Sequence, residues 1–427
     1  MLAELKKKIN NKNANVGIIG LGYVGLPIFL RILSTGFNVI GFDKNKTVIN
    51  KLRKKKKIIE HIDLDILNKK KNFSFEHNLR YIKKCDIIIL CLPTPIDKKK
   101  KPELSAILET NKKIKNYLRK GQLFIIESTI YTGLLRKIVE EFCLKKNLKL
   151  GEDFFGGYSP EREDPGNSKF TIKNIPKLCS GLTTNCKKLV SEFYRTFVKK
   201  VHLVDTVEIA ETSKLFENTY RSVNIALVNE FKLICEYLNL NVHEVLNAAS
   251  TKPFGFTKFN PGPGVGGHCI PIDPYYLSYI SELNGFKSKF IKISADINES
   301  MPKTISIKIN QIAKKYNYKN CLLIGIAYKK NVDDLRESPS LEILNLINSK
   351  FNKIDYHDNY FKKLIITRKN KIIKKSVNLS VKNIKKYDLI ILATDHDYLN
   401  YKKIYLNAKK IIDLRNKFPK NEKVYQY

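Results

Sequence analysis

A single cysteine stands in a run dense in glycine and proline, Asn260-Pro-Gly-Pro-Gly-Val-Gly-Gly-His268-Cys269-Ile-Pro-Ile-Asp273-Pro274. Such a segment does not bury its residues on a regular element, and a thiol held there near backbone donors can ionise and act as a nucleophile. A structural cysteine packed in a loop gives the same pattern, and the residue by itself leaves both readings open. His268 beside it could act as a base, although a loop-packing role suits a lone histidine better. Upstream, Lys214 and Asn218 are four apart in a long helical pattern, so they project from one face a turn apart. An ammonium and an amide so placed can hold an oxyanion or position a water. A solvated helix face would look the same.

A second constellation is Gly20-Leu-Gly22-Tyr23-Val24-Gly25, between a strand-like run at residues 15–20 and a helix pattern at 26–34. Glycines are needed where a tight turn lets a diphosphate approach the backbone and the following helix offers free N–H groups. Asp43 closes the next strand, 23 residues after Gly20, where a carboxylate can accept from a ribose 2′-hydroxyl. A carboxylate there repels a 2′-phosphate, so NAD is expected over NADP, with Lys44 and Lys46 softening the preference.

Length and patterning say what must position these groups. A chain of 427 residues, 43% hydrophobic and 28% charged, is globular and long enough for two or three domains. Continuous apolar runs at 86–92 and 122–127 read as parallel strands covered on both faces. One helix is expected over 207–240 and another over 242–249, followed by the glycine-rich loop and more helix to about 315, broken near Pro302. A second strand–helix series follows, with strands at 319–325, 353–356, 388–392 and 410–413 and a helix at 341–348. The expected fold class is α/β, two Rossmann-like doubly wound domains joined by a long central helix. The divisions are 1–204 (NAD-binding), 205–315 (helical, carrying the cysteine loop) and 316–427. Apolar positions on the long helix, Leu215, Val223, Leu227 and Phe231, could pack within the chain or on a second subunit.

The net charge of +37 suggests nucleic acid or an anionic surface. Lysine outnumbers arginine 67 to 11, however, and nucleic-acid readers lean on arginine. No recognition helix, zinc finger or aromatic RNA-binding motif accompanies the charge. No nucleic-acid partner is expected, and a basic surface-binding protein is the rival from another class. The eight cysteines show neither a CxxC pair nor Cys/His metal spacing, so neither disulfides nor a metal is expected. No apolar run reaches the roughly 18–20 residues of a membrane helix, and residues 1–20 carry no signal-peptide core. A cytoplasmic protein with no membrane partner is expected.

Seven blocks carry a resemblance: GLGYVGLP near the start, CLPTP at 91–95, EST at 127–129, SPER at 159–162, SKLFEN at 213–218, GGHCIPIDP at 266–274 and KKNVDDLRES at 329–338. They occur in the order found in the UDP-glucose/GDP-mannose dehydrogenase family, which the chain resembles through essentially its whole length. SPER followed by Pro165-Gly166, with PGPGVGGHCIPIDP, is similar to the family's N-acetylhexosamine branch, the UDP-N-acetylglucosamine 6-dehydrogenases of surface-polysaccharide synthesis. The resemblance implies a four-electron oxidation of a sugar C6 alcohol to a uronate by NAD, with Cys269 forming a thiohemiacetal and then a thioester. It implies Lys214 and Asn218 as the oxyanion and water-positioning pair and Asp273 as a carboxylate near the nucleophile. Thr129 and Glu161 become water- and proton-handling groups. Gly20, Gly22, Tyr23, Val24, Gly25, Asp43, Pro93, Thr94, Thr129 and Arg336 would contact NAD. Glu161, Lys214, Asn218, Phe259, Gly262, Gly266, Lys329 and Arg415 would contact the UDP-sugar, and a homodimer or higher homo-oligomer is implied. Glucose-type members carry a glutamate where this chain has Pro165 and an arginine where it has Pro253, so UDP-glucose fits less well than an N-acetylated sugar. UDP-N-acetylmannosamine and UDP-N-acetylgalactosamine remain alternatives, and a two-electron hydroxyacid or sugar-phosphate dehydrogenase is the nearest enzyme rival.

Overall fold

The computed structural model describes residues 1–60, 62–163, 170–367 and 370–426; Pro165 and Gly166 lie outside them. The chain forms two compact units, Met1–Glu217 with Tyr275–Phe286, and Asn218–Pro274 with Lys287–Tyr427.

The first unit opens with α1 (Leu2–Asn10), β1 (Asn15–Ile19), α2 (Gly25–Ser34) and β2 (Asn38–Phe42). Next come α3 (Lys46–Arg53), α4 (Ile66–Lys69), β3 (Phe73–Glu76), β4 (Ile87–Leu90), α5 (Ser105–Ile114) and β5 (Leu123–Ile126). It continues through α6 (Leu134–Lys146), β6 (Phe155–Tyr158), β7 (Lys177–Gly181), α7 (Thr184–Arg195) and β8 (Val201–Leu203). These strands form one sheet in the order β3-β2-β1-β4-β5-β6-β7-β8. Its first six positions follow the doubly wound dinucleotide-binding order. Every residue of β4 and β5 is buried, as strands covered on both faces must be. α2 buries Leu26, Ile28, Phe29, Ile32 and Leu33, the apolar stripe of an amphipathic helix. One feature departs from the parallel expectation: β7 runs antiparallel to β6.

α8 (Val207–Tyr237) begins in the first unit and continues into the second, and α9 (Val242–Ala249) follows it. α8 ends three residues before the expected position 240, because Asn239 takes a left-handed φ of +55° and Leu240 N donates back to Cys235 O at 2.8 Å. That is a helix stop made without glycine or proline. α10 (Asp273–Leu283) and α11 (Lys289–Lys315) correct the expected break at Pro302. α11 runs unbroken through Pro302, which is buried with Met301, Ile305 and Ile309. Packing of those side chains outweighs one lost helix bond. The interruption falls instead at 284–288, where Gly285 has a φ of +85°.

The second unit continues with β9 (Asn320–Ile324), α12 (Pro339–Ile347), β10 (Lys353–His357), β11 (Lys363–Leu364) and β12 (Lys374–Lys375). It closes with α13 (Val381–Ile384), β13 (Leu389–Leu392), α14 (Tyr401–Asn407), β14 (Ile411–Asp413) and β15 (Val424–Gln426). The order β10-β9-β13-β14-β15 makes a parallel sheet of the other common doubly wound type. Asp358, just past β10, occupies the position that Asp43 holds past β2. It is wholly buried and its Oδ2 accepts from Ile326 N (2.9 Å), Ala327 N (3.3 Å) and His396 Nε2 (3.2 Å). That acid is committed to its own turn. Among the described residues no helix is long and apolar enough to cross a membrane.

Candidate active site

In the first unit the glycines are dictated by space. Gly20 has a φ of +94°, and a Cβ on it would lie 2.4 Å from Cys91 O. A Cβ on Gly25 would lie 1.8 Å from Gly20 O, whereas nothing lies within 4 Å of one on Gly22. The turn is closed at two glycines and open at the third, as close approach of a diphosphate requires. Val24 precedes α2 and no side chain caps that helix; Leu26 N donates to Gly22 O at 3.1 Å and Pro27 carries no N–H, so any helix-start donor to an anionic oxygen comes from the Gly20–Gly25 turn itself. Asp43 accepts from Leu21 N (3.1 Å) and Asn45 N (2.8 Å), which aims its carboxylate at the turn. Tyr23 is half-buried beside it. Pro93 is exposed and Thr94 buried past the end of β4, and the Thr94 carbonyl accepts from Tyr276 OH at 3.1 Å. Thr129 is half-buried past β5, next to Ser128, whose Oγ accepts from Leu92 N at 2.7 Å. All these groups stand at the carboxyl ends of β1, β2, β4 and β5, where open α/β sheets take their ligands.

A buried charge cluster lies further along the same sheet. Glu161 is half-buried, and its Oε1 accepts from Arg162 N (2.7 Å) and Glu163 N (2.5 Å). Lys177 Nζ lies 2.6 Å from Glu127 Oε2 and 3.6 Å from Glu161 Oε2, and Tyr194 OH donates to Glu127 Oε1 at 2.5 Å. Burial pushes the Glu127 and Glu163 carboxyls up, Glu163 to about 7 with help from the neighbouring Glu161 charge. The paired carboxylates keep Lys177 firmly protonated against its burial. Sequence reasoning missed Lys177 and Tyr194: the IPKLCSG and EFYRTF runs look like ordinary strand and helix. The signal available was a lysine opening an otherwise apolar strand.

The second unit carries the cysteine loop. Of eight free cysteines Cys269 is exposed and the other seven are buried. Its carbonyl accepts from Ile272 N (3.1 Å) and Asp273 N (2.9 Å), so the thiol sits on the turn that starts α10. Glycines again fix the loop by contact. A Cβ on Gly266 would lie 2.6 Å from Tyr328 Cβ, and one on Gly267 2.9 Å from the Tyr328 ring. Gly267 N donates to Arg336 O at 2.9 Å. Gly264, at φ +129°, would bring a Cβ to 3.1 Å from Asn298 O, the carbonyl that Pro302 leaves without its helical partner. Asn229, buried on α8, accepts from Gly262 N at 2.9 Å and donates to Asn298 Oδ1 at 3.0 Å; Asn298 Nδ2 donates to Ser222 O at 2.9 Å. This amide relay was not read from sequence.

Lys214 and Asn218 are each only 7% exposed, which removes the solvated-face alternative. Asn218 Nδ2 donates to Asp273 Oδ2 at 2.5 Å, so two of the expected residues meet directly, beside the turn that carries Cys269. Gly262 and Arg415 are also neighbours: a Cβ on Gly262 would lie 3.4 Å from Arg415 Nη1. Arg415 is anchored to Ala393 O (2.7 Å) and lies 4.0 Å from Asp395. Burial lowers its affinity for its proton, with Asp395 and Asp413 opposing that shift. Lys329 is half-buried past β9. Arg336 forks onto Asp334, with contacts of 2.7–3.1 Å, while its carbonyl holds the cysteine loop. Phe259 packs beside Val228, Cys235, Val242 and Leu246 and edge-on to Tyr220. Of the four apolar positions that could pack within the chain or on a second subunit, two pack within it: Leu215 is fully buried and Phe231 lies against that same cluster.

A two-unit α/β protein with a dinucleotide turn at the carboxyl ends of a doubly wound sheet belongs to the class of NAD-dependent dehydrogenases. Comparison gives the family. Residues 14–198 match the NAD binding domain of the UDP-glucose/GDP-mannose dehydrogenase family, 208–300 its central domain and 322–420 its UDP binding domain. The chain belongs to that family and is an NAD-dependent nucleotide-sugar 6-dehydrogenase. It is 34% identical over 412 residues to Protein CapL of Staphylococcus aureus (93% of this chain, 94% of CapL). It is 34% identical over 356 residues to UDP-N-acetyl-D-glucosamine 6-dehydrogenase of Pseudomonas aeruginosa (81% and 83%). The solved structure of UDP-D-ManNAc dehydrogenase from Pyrococcus horikoshii superposes with a TM-score of 0.84 at 30% identity, covering 95% of this chain and 96% of that one.

Proposed function

We propose that the protein oxidises the C6 alcohol of a UDP-N-acetylhexosamine, foremost UDP-N-acetylglucosamine, to the uronate through a thioester on Cys269. The observation that carries this reading is the exposure of Cys269, on a loop whose glycines are set by contact, beside the Asn218–Asp273 bond. The Gly20–Gly25 turn with Asp43, Pro93, Thr94 and Thr129 would hold NAD, with Arg336 assigned to the same cofactor, and NAD would supply the hydride acceptor for two successive oxidations at C6. In the first round the C6 hydroxyl proton leaves to water. The Cys269 thiolate adds to the aldehyde carbon, and Lys214 and Asn218 stabilise the resulting oxygen. Loss of the second hydride and the hydroxyl proton leaves the thioester. Water, placed by Asn218 and Thr129 and deprotonated through Glu161, attacks the acyl carbon; the C–S bond breaks and its electron pair returns to sulfur. The sum is one alcohol, two NAD and one water giving one carboxylate, two NADH and three protons. A thiol keeps the aldehyde attached between the oxidations, which a His/Asp site does not. Asp273 holds the Asn218 amide by the hydrogen bond described. Lys329, Arg415, Phe259, Gly262 and Gly266 would take the UDP-sugar, the cations serving its diphosphate. Exposed apolar residues of α8, Tyr220, Leu227, Ile234 and Tyr237, support assembly as a homo-oligomer.

The test is NADH yield per sugar across UDP-glucose and the UDP-N-acetyl forms of glucosamine, galactosamine and mannosamine. Two NADH per UDP-N-acetylglucosamine are expected, and none beyond the first in Cys269→Ser. One NADH per sugar in the wild type, or unchanged turnover in Cys269→Ser, sinks the covalent route. UDP-N-acetylmannosamine is the second reading, favoured by the 0.84 TM-score to the Pyrococcus enzyme, and the same panel separates the two.

A further inference from the structure

The reversed strand β7 has a chemical consequence. In its register with β6, Gly157 faces Gly181 and Tyr158 faces Ser180, and continuing that ladder sets Glu161 opposite Lys177. A parallel strand would run the other way and leave position 161 without this partner. Lys177 is 4% exposed, and its ammonium lies between Glu127 (2.6 Å), Pro160 O (3.4 Å) and Glu161 (3.6 Å). Neutralising Glu127 needs only the first contact. Glu161 Oε1 is occupied by two backbone N–H groups, so Oε2, the oxygen nearest Lys177, keeps its lone pairs for a proton. Arg162, next in sequence, is turned away to Glu217 at 2.7 Å.

We propose that Lys177 is a positioning residue for the hydrolytic half of the reaction, its buried ammonium holding the Glu161 carboxylate in one orientation while Glu127 and Tyr194 hold Lys177. The step it serves is transfer of a water proton to Glu161 as the water oxygen bonds the acyl carbon and sulfur leaves as thiolate. This rests on the proposed role of Glu161. The ionisable groups facing the ammonium are Glu127 past β5, Glu161 and Glu163 past β6, Cys91 past β4, Tyr194 on α7 and Cys179 on β7. Burial and the neighbouring Glu161 charge push the Glu163 carboxyl up to about 7.

The test compares Glu127→Gln with the double variant Lys177→Met/Glu127→Gln in the full-length enzyme. The NADH burst, the steady-state rate and the acyl adduct on Cys269 are followed against pH. Removing the Glu127 charge turns the whole ammonium onto Glu161, so the acid limb of hydrolysis should move to lower pH. Removing both should move it to higher pH, each by about one pH unit. In the double variant hydrolysis should slow roughly tenfold or more and the acyl adduct accumulate, with the burst and the sugar KM held within about twofold. Limbs unmoved in both variants, or burst and hydrolysis falling together, would mean Lys177 only supports the fold. Should the double variant not fold, the direction of the Glu127→Gln shift decides alone. Glu161→Gln is the control: wild-type hydrolysis there refutes the role of Glu161 itself, independently of Lys177.

Discussion

The amide relay beneath the cysteine loop gives the most quantitative prediction. Asn229→Leu keeps the branched heavy-atom skeleton of the side chain but removes both an acceptor and a donor at a fully buried position. Gly262 N then loses its 2.9 Å acceptor and Asn298 Oδ1 its 3.0 Å donor. Asn298 does not repair this by rotating, because its amide nitrogen is already given to Ser222 O. Two orphaned buried groups cost about 1–3 kcal/mol each, and the better burial of leucine offsets roughly 1 kcal/mol. The expected loss is therefore roughly 1–5 kcal/mol, read as a lower urea midpoint with an unchanged slope. The double variant Asn229→Leu/Asn298→Leu should lose less than the sum of the singles, because the second change removes an atom the first stranded. NAD affinity, set mainly by the Gly20–Gly25 turn and Asp43 of the other unit, should stay near the wild-type value while sugar turnover falls. Asn229→Leu within about 0.5 kcal/mol of wild type would refute the relay.

Two further outcomes follow from contacts and charges. Gly25→Ala places a methyl 1.8 Å from Gly20 O, and the turn must open. NAD should bind at least roughly tenfold more weakly by titration calorimetry, a loss of about 1.4 kcal/mol, and an unchanged Kd would count against the turn as the cofactor site. Glu211 is buried on α8, accepts from Gly133 N (2.6 Å) and Leu135 N (3.3 Å) at the start of α6, and is pushed up to about 8 by burial. Its folded carboxyl binds a proton more tightly than the unfolded one near ~4.3. The stability it contributes is therefore full below about pH 4.3 and is lost as pH rises to about 8, on the order of 5 kcal/mol at ~1.4 kcal/mol per unit. Tm should fall from pH 6 to 8.5 in the wild type and fall less steeply in Glu211→Gln; equal slopes would rule out this titration.

Much of the frame was legible because local rules and the global fold agree. The IIIL and LFII runs, the GxGxxG turn and Asp43 mark the first parallel crossover without tertiary information. Cys269 was legible for the opposite reason: it breaks the habit of buried cysteines. What stayed hidden depends on partners distant in sequence. Pro302 lies inside a helix because the packing of Met301, Ile305 and Ile309 outweighs local propensity. Nothing local to β7 announces its reversal, since a five-residue buried strand reads alike in either direction. Asn229 and Asn298, 69 residues apart, look like two polar interruptions of two helices until the fold joins them.

The uneven burial of the cysteines makes the molecule its own gauge of opening. Desolvation raises the thiols of Cys85, Cys91, Cys143, Cys179, Cys235 and Cys321 above their ordinary range, and Cys186 is buried with them. A soluble electrophile thus meets one reactive sulfur on the native chain, and every further alkylation requires a segment to unfold first. Cys321 lies on β9 of the second unit, and Cys85, Cys143, Cys179 and Cys186 lie in the first. The order in which adducts appear in the mass spectrum therefore traces, sheet by sheet, which unit loosens first.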